Sequence, residues 1–150
     1  MLRKILIANR GEIAVRIIRA CAEMGIRSVA IYSEADRFAL HIKKADESHY
    51  IGSEPMAGYL NIHALVDLAL ATGCDAIHPG YGFLSENAEF AKVCKERGLV
   101  FIGPTPEVIH RMGDKTEARN AMKAAGIPIT PGSEGNVNSV KEALKVAEQI

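Results

Sequence analysis

The chain has 150 residues, 48% of them hydrophobic and 24% charged, which is enough apolar content to bury one domain-sized core and excludes a disordered tail. Lys plus Arg balances Asp plus Glu at 18 each, so no overall field recruits nucleic acid or an anionic membrane, and any basic site must be local. No stretch reaches the length of a membrane span, and Ile5-Leu6-Ile7-Ala8 is too short for a signal-peptide core; this predicts a cytoplasmic protein, or one in an organelle lumen after loss of a presequence.

The first predicted element is a strand over Lys4–Ala8, followed by a turn and a helix over Glu12–Met24. This layout, with Glu34 after the next strand, invites a dinucleotide reading, but only Gly11 is present of the glycines that fingerprint needs. Glu12 in the first turn would also meet a pyrophosphate with a like charge, so NAD binding is not expected. Within the helix, Ile13, Ile17, Ile18 and Cys21 form an apolar stripe, and Glu12, Arg16, Arg19 and Glu23 fall in one row on another face. Such a row is either a solvated face with Glu12–Arg16 and Arg19–Glu23 pairs, or a self-complementary surface on which two copies pair opposite charges across a twofold axis.

Strands are next predicted over Ser28–Ser33 and His49–Ile51, with a short helix over Ala39–Ala45 between them and a helix over Asn61–Thr72 after them. Asp75–His78 reads as a further strand that runs into His78-Pro79-Gly80-Tyr81-Gly82-Phe83-Leu84-Ser85-Glu86-Asn87, the most informative segment of the chain. Gly80 and Gly82 permit positive φ and leave room for a ligand to approach the backbone, and Tyr81 could form a wall. Ser85 is the predicted N-cap of a helix over Glu86–Arg97, with Glu86 just inside, where its carboxylate either satisfies the helix dipole or orients a polar substrate. His78, at a strand end before Pro79, reads as a buried, hydrogen-bonded structural histidine rather than a base. A glycine-rich turn between a strand and a capped helix is where an α/β sheet binds ligands, so a small-molecule site is expected here.

A strand over Leu99–Ile102 completes an alternation of strands and helices, which predicts βαβ units and a parallel, doubly wound α/β sheet. Cys21, Cys74 and Cys94 are odd in number, far apart and outside any CxxC pattern, so reduced thiols are expected rather than a disulfide framework or a metal site. After Phe101-Ile102-Gly103-Pro104 the pattern changes. A helix is predicted over Pro106–Met112, then a second one that Asp114 caps, with Ala118, Ala121, Met122 and Ala125 facing a core. Lys115 lies in the first turn of that helix, against the dipole; a nucleotide phosphate at the helix start would explain the placement, an ordinary surface lysine being the alternative. An extended Ile127–Pro131 and a loop rich in Gly, Ser and Asn through Ser139 read as a linker leaving the first domain. Ser139-Val140-Lys141-Glu142 has capping-box spacing, and Val140, Leu144, Val146 and Ala147 give the helix it opens an apolar face. That face needs a cover, so the chain is expected to be the front part of a longer polypeptide.

Taken together, Lys4 to Ala14, His78 to Asn87, Phe101 to Pro104 and Met112-Gly113-Asp114-Lys115 resemble the amino-terminal part of biotin carboxylases, in order and spacing across the whole chain. The resemblance implies that residues 1–110 form a Rossmann-like pre-ATP-grasp domain, and that residues 111–150 are linker helices and the beginning of a truncated ATP-grasp domain. It implies a ligase reaction in which ATP and bicarbonate give carboxyphosphate, whose carbon dioxide equivalent passes to N1′ of biotin on a biotin carboxyl carrier protein or domain, with Mg2+ as cofactor. A carboxyltransferase and a second copy of the enzyme are the further partners it implies. By the same resemblance Lys115 contacts nucleotide phosphate, Tyr81 and Gly82 line the biotin and bicarbonate site with Glu86 close by, and Arg16, Arg19 and Glu23 belong to a homodimer interface. The family's glycine-rich ATP loop, its magnesium ligands and its catalytic acid and arginine lie beyond Ile150, so neither catalytic residues nor metal ligands are expected in this chain, and the chain alone is expected to be inactive. The alternatives are another ATP-grasp ligase of the carbamoyl phosphate synthetase kind, and a non-catalytic dimerisation or regulatory module.

Overall fold

The computed structural model describes residues 1–133, 135 and 137–150. The chain divides into two compact units, Met1–Pro106 and Glu107–Ile150. Among the described residues of the first unit, five strands form one sheet: β1 (Lys4–Ile7), β2 (Arg27–Tyr32), β3 (Glu47–Tyr50), β4 (Ala76–His78) and β5 (Val100–Phe101). Their order is β3-β2-β1-β4-β5 and every pairing is parallel. The doubly wound α/β sheet expected from the alternation is the fold of this unit.

The side-chain period of two in β1 decides what each face receives. Ile5 and Ile7 point to one face, where they pack with Ala76 and with Ala14, Ile17, Ile18 and Cys21 of α1 (Gly11–Glu23). Leu6 and Ala8 point to the other, against Leu65, Val66 and Ala69 of α4 (Ile62–Ala71) and Phe90, Val93 and Cys94 of α5 (Ala88–Glu96). A strand buried on both faces reads as a continuous apolar run, which is why Lys4–Ala8 reads as a strand. The edge strand β3 alternates half-buried and exposed residues and begins at Glu47, two positions before the predicted His49 start. Its polar composition, Glu-Ser-His-Tyr, masks the strand from a hydrophobicity reading. A short helix α2 (Leu40–Lys44) precedes it and another, α3 (Pro55–Tyr59), follows it. The second was not expected from the sequence: five residues with Pro55 at the start are too few to show a helical period.

In the second unit, α6 (Pro106–Gly113), α7 (Lys115–Ala124) and α8 (Val140–Ala147) follow one another. The capping signals read from the sequence are made: the Asp114 carboxylate accepts from the Thr116 and Glu117 N–H groups at 2.8 and 2.9 Å, and Ser139 Oγ accepts from Glu142 N–H at 3.2 Å. The returning arm of the expected capping box differs, because the Glu142 carboxylate accepts from Asn138 N–H, one residue before the cap. The expected core face of α7 is a correction: none of its residues is buried, and Ala118, Ala121 and Met122 are half-covered while Ala125 is exposed. A helix needs a second apolar layer before its stripe becomes a core, and among the described residues of this unit Ile109 is the buried hydrophobic one. Of the Gly-, Ser- and Asn-rich loop, Glu134 and Asn136 lie outside the described residues. Among the described residues no helix is long and apolar enough to cross a membrane.

Candidate functional site

The site is set by strand order. β1 and β4 are neighbours, but the chain leaves β1 toward β2 on one side and leaves β4 toward β5 on the other. The two loops at their carboxyl ends therefore diverge, opening the crevice in which doubly wound sheets bind ligands. Ala8 N–H donates to His78 O at 2.9 Å, continuing the β1–β4 pairing to the lip of this crevice. Beyond it stand Asn9 and Arg10 from one loop and Pro79 to Asn87 from the other.

The second loop turns on itself by local bonds. Gly80 N–H donates to His78 Nδ1 at 3.0 Å, Ser85 N–H to Gly82 O at 2.9 Å and Asn87 N–H to Leu84 O at 3.1 Å. His78 is hydrogen-bonded as expected but half-buried rather than buried; desolvation pushes its pKa down and favours the neutral ring, and the Gly80 N–H selects the tautomer whose Nδ1 accepts. Gly80 has φ +68°, and a Cβ there would lie 2.6 Å from Asn9 Nδ2 and 2.8 Å from Ile13 Cγ2, so the position admits only glycine without rearrangement. Phe83 also takes a positive φ, 44°, a conformation disfavoured for a side-chain-bearing residue. Its ring stacks on Tyr59 with centroids 5.2 Å apart and planes 11° from parallel. Tyr81 is 79% exposed at the rim, and Gly82 and Glu86 are exposed beside it.

The capping reading of this loop needs correcting. Ser85 is not the N-cap and Glu86 does not lie in the first helical turn: the cap is Asn87, whose side-chain oxygen accepts from Phe90 N–H at 2.9 Å, and α5 starts at Ala88 with Glu89 in its first turn. The turns closed at Gly82 and Leu84 consume the chain up to residue 87, so helix formation waits for the second good capping residue. Glu86 is left as an exposed carboxylate on the loop, immediately before the cap rather than in the first helical turn.

Behind the loop lies a polar cluster that sequence reasoning missed. Asp36, 4% exposed, accepts from Arg10 Nε at 2.7 Å and Arg10 Nη2 in a forked pair, from the Tyr59 hydroxyl at 2.8 Å and from Ser33 Oγ at 3.3 Å. The guanidinium holds the Asp36 carboxyl below the usual carboxylate range, while burial and the neighbouring anion push the Tyr59 hydroxyl up. His41, fully buried, donates from Nε2 to Ile31 O at 3.2 Å, and burial lowers its pKa so that it stays neutral. Asn9 is 2% exposed; it sits immediately after four apolar residues, and that position at a strand's carboxyl end was the one available signal for it.

The other predicted residues belong to helices rather than to this loop. On α1, Arg16 pairs with Glu12 at 2.6 Å, and Arg19 and Glu23 are exposed on the same helix, though among the described residues no ion pair joins those two. Lys115 is the first residue of α7, exposed, next to the capping Asp114. Cys21, Cys74 and Cys94 are buried free thiols, and burial pushes the thiol of Cys94 up to about 11, so it is unreactive at neutral pH. Among the described residues no group of three or more His, Cys, Asp or Glu side chains is arranged to hold a metal ion.

Residues 1–109 match the family model described as biotin carboxylase, N-terminal domain. The chain belongs to the biotin carboxylase N-terminal domain family. It is 56% identical to biotin carboxylase 1 of Bacillus subtilis, with all of this chain and 34% of that protein aligned. It is 54% identical to the 2-oxoglutarate carboxylase small subunit of Hydrogenobacter thermophilus, again over the whole chain and 32% of the relative. The fold superposes on the biotin carboxylase domain dimer of the Hydrogenobacter thermophilus 2-oxoglutarate carboxylase, solved with MgADP, ADP and bicarbonate, at a TM-score of 0.93 and 54% identity, covering 100% of this chain and 33% of that one. The chain thus spans about a third of the length of these relatives.

Proposed function

We propose that this chain supplies the amino-terminal part of an ATP-dependent biotin carboxylase, a cytoplasmic homodimeric ligase that works with a biotin carboxyl carrier protein and a carboxyltransferase. The observation that carries the reading is full-chain identity above one half to two biotin-dependent carboxylases, in a fold whose loop-lined crevice lies at the carboxyl ends of the strands. In the reaction, a bicarbonate oxygen attacks the γ-phosphorus of ATP and the bond to ADP breaks, giving carboxyphosphate. The N1′ nitrogen of biotin, after losing its proton, then bonds to the carboxyl carbon as phosphate departs.

Residues 1–110 act as the pre-ATP-grasp domain and residues 111–150 begin the ATP-grasp part. Tyr81 and Gly82 form the rim of the biotin and bicarbonate pocket: the glycine lets a flat ureido ring or a small anion approach the backbone, and the phenol ring can cover it. Glu86, exposed just before the α5 cap, is a carboxylate available to a polar group of substrate. Lys115 reaches a nucleotide phosphate from the first turn of α7, where the macrodipole also favours an anion. Arg16, Arg19 and Glu23 present charges of both signs for pairing with a second copy. Mg2+ would supply charge neutralisation of the phosphates, and its ligands would come from the part of the enzyme outside this chain.

Replacing the matching segment of Bacillus subtilis biotin carboxylase 1 by this chain tests the reading. The chimera is expected to hydrolyse ATP in a biotin- and bicarbonate-dependent manner, and Lys115→Ala in it is expected to raise KM for ATP by about tenfold, the order of one charge-assisted contact. The 150-residue chain alone is expected to show no biotin-stimulated turnover. A folded, dimeric chimera whose ATP hydrolysis ignores biotin would overturn the assignment and favour another ATP-grasp ligase.

A further inference from the structure

Asn9 and Arg10 are adjacent in sequence, leave the same strand, and support the same loop at two different points, Asn9 directly and Arg10 through Asp36 and Tyr59. Asn9 Nδ2 donates to Pro79 O at 2.8 Å and to Tyr81 O at 2.9 Å, while its Oδ1 accepts from Arg10 N–H at 2.9 Å. Both loop atoms it faces are carbonyl oxygens, so only the NH2 side of a carboxamide fits, and three of its four hydrogen-bonding positions are filled. The residue between the two held carbonyls is Gly80, pressed so closely on Asn9 that a Cβ would collide with it. Arg10 acts at one remove. Its guanidinium forks onto Asp36, Asp36 accepts the Tyr59 hydroxyl, and the Tyr59 ring stacks on Phe83. Phe83 has an unfavourable positive φ, which persists only where surroundings over-determine it.

We propose that Asn9 and Arg10 form a two-point clamp that holds the Pro79–Phe83 loop in its binding-competent shape, making both positioning residues for the substrate that meets Tyr81 and Gly82. The proposal rests on the preceding reading only for the identity of that substrate. Without the clamp, Tyr81 and Gly82 stand on a segment with a glycine at each flexible point, and the entropy of ordering it would be charged to every binding event. With it, the order is built during folding. A clamp rooted at the end of β1 also spans the crevice from the side the loop does not come from, so loop shape is tied to the β1–β4 pairing rather than to the loop's own weak turns.

Asn9→Asp is the informative change, since it keeps the acceptor for Arg10 N–H and replaces the two N–H donors by a carboxylate oxygen facing two carbonyls. Tyr59→Phe keeps the stacked ring and removes the hydroxyl, with its 2.8 Å bond to Asp36 and its longer 3.3 Å contact to Ile31 O. Residue-resolved amide exchange in the 150-residue chain reads the clamp alone. Asn9→Asp is expected to speed exchange at Gly80 and Ser85 by about tenfold or more, with exchange in β1 and β4 far less affected, and Tyr59→Phe is expected to produce a smaller rise at the same amides. Unchanged exchange at Gly80 and Ser85 in both variants would overturn the proposal whatever the enzyme does. In the chimera, where the parent's activity is the control for the carboxylase assignment itself, Asn9→Asp is expected to raise KM for biotin or bicarbonate several-fold while leaving KM for ATP unchanged. Faster loop exchange with every KM unmoved would sink the positioning role and leave the carboxylase reading intact. If Asn9→Asp fails to fold, Tyr59→Phe carries both measurements.

Discussion

The two units of this chain were built by different means. Met1–Pro106 buries a core on both faces of its sheet, with Leu6, Ile7, Val29, Ile31, Leu65 and Ile77 fully inaccessible. The described residues of Glu107–Ile150 form three helices with sound local punctuation, yet α7 and α8 bury nothing, and Val140 and Leu144 of α8 are 78% and 61% exposed. Caps and propensity are enough to say where a helix starts. They are not enough to hold it, because most helical stability in a protein comes from packing an apolar face.

The largest test of that contrast is a matched pair of deletions. Ile77→Ala, in the middle of the sheet with both faces covered, is expected to cost about 2–5 kcal/mol and to lower the Tm by roughly 10 °C or more, read by thermal unfolding of the first unit. A second pair separates backbone strain from crowding. Gly80 and Gly126 share nearly the same φ, +68° and +73°, but a Cβ at Gly80 collides with Asn9 and Ile13 while one at Gly126 meets nothing within 4 Å. Gly80→Ala is expected to cost about 2–4 kcal/mol and Gly126→Ala about 1 kcal/mol, measured by urea unfolding; equal costs would mean that strain alone governs both.

Caps give the next contrast. Asn87→Ala and Asp114→Ala each remove a side chain that accepts backbone N–H groups, worth about 1 kcal/mol. In the first unit the loss should appear in global unfolding, because α5 is packed by Phe90 and Cys94. In the second it should appear as fraying of α7 alone, seen as faster exchange there with an unchanged Tm of the first unit.

Acid should also discriminate. His41 and His78 belong to the first unit, and burial lowers both pKa values, so the folded state binds their protons less readily than the unfolded state does. Their contribution is complete above the unfolded value of about 6.5 and is lost progressively as pH falls below it toward the folded values. The Tm of the first unit is therefore expected to drop between pH 7 and pH 5, before the carboxylates such as Asp36 begin to titrate, and His41→Leu should flatten that slope. The smallest effect closes the series: Leu144→Ala is expected to change stability by less than about 0.5 kcal/mol, the counterpart in chemistry and the opposite in context to Ile77→Ala.

Much of the fold was legible from residue order. The apolar runs of β1, β2 and β4, the amphipathic stripe of α1 and the caps at Asp114 and Ser139 are local signals, each contained within a few residues. The loop His78–Asn87 stood out for the same reason, since its glycines and its position after an apolar strand are read without knowing what surrounds it. The errors were also local in origin. Ser85 looked like a cap because Ser is a good capping residue, and nothing in the sequence says that two turns would delay the helix to Asn87. The start of the edge strand β3 was misplaced by two residues and the helix α3 was missed, because polar pairing residues and a five-residue helix carry almost no periodic signal.

By itself the sequence determined the alternation of strands and helices, the parallel doubly wound architecture, the glycine-rich loop and the family to which the chain belongs. Only the tertiary structure decided that Asn9 meets Pro79 and Tyr81, and that Arg10, Asp36, Tyr59 and Phe83 form one chain of contacts. Those partners lie tens of residues apart and are brought together by strand order at the β1–β4 switch point, a property of the whole sheet. A hydrogen bond across it depends on angles and distances that accumulate over every intervening element, whereas a cap or a stripe depends on the next three or four residues.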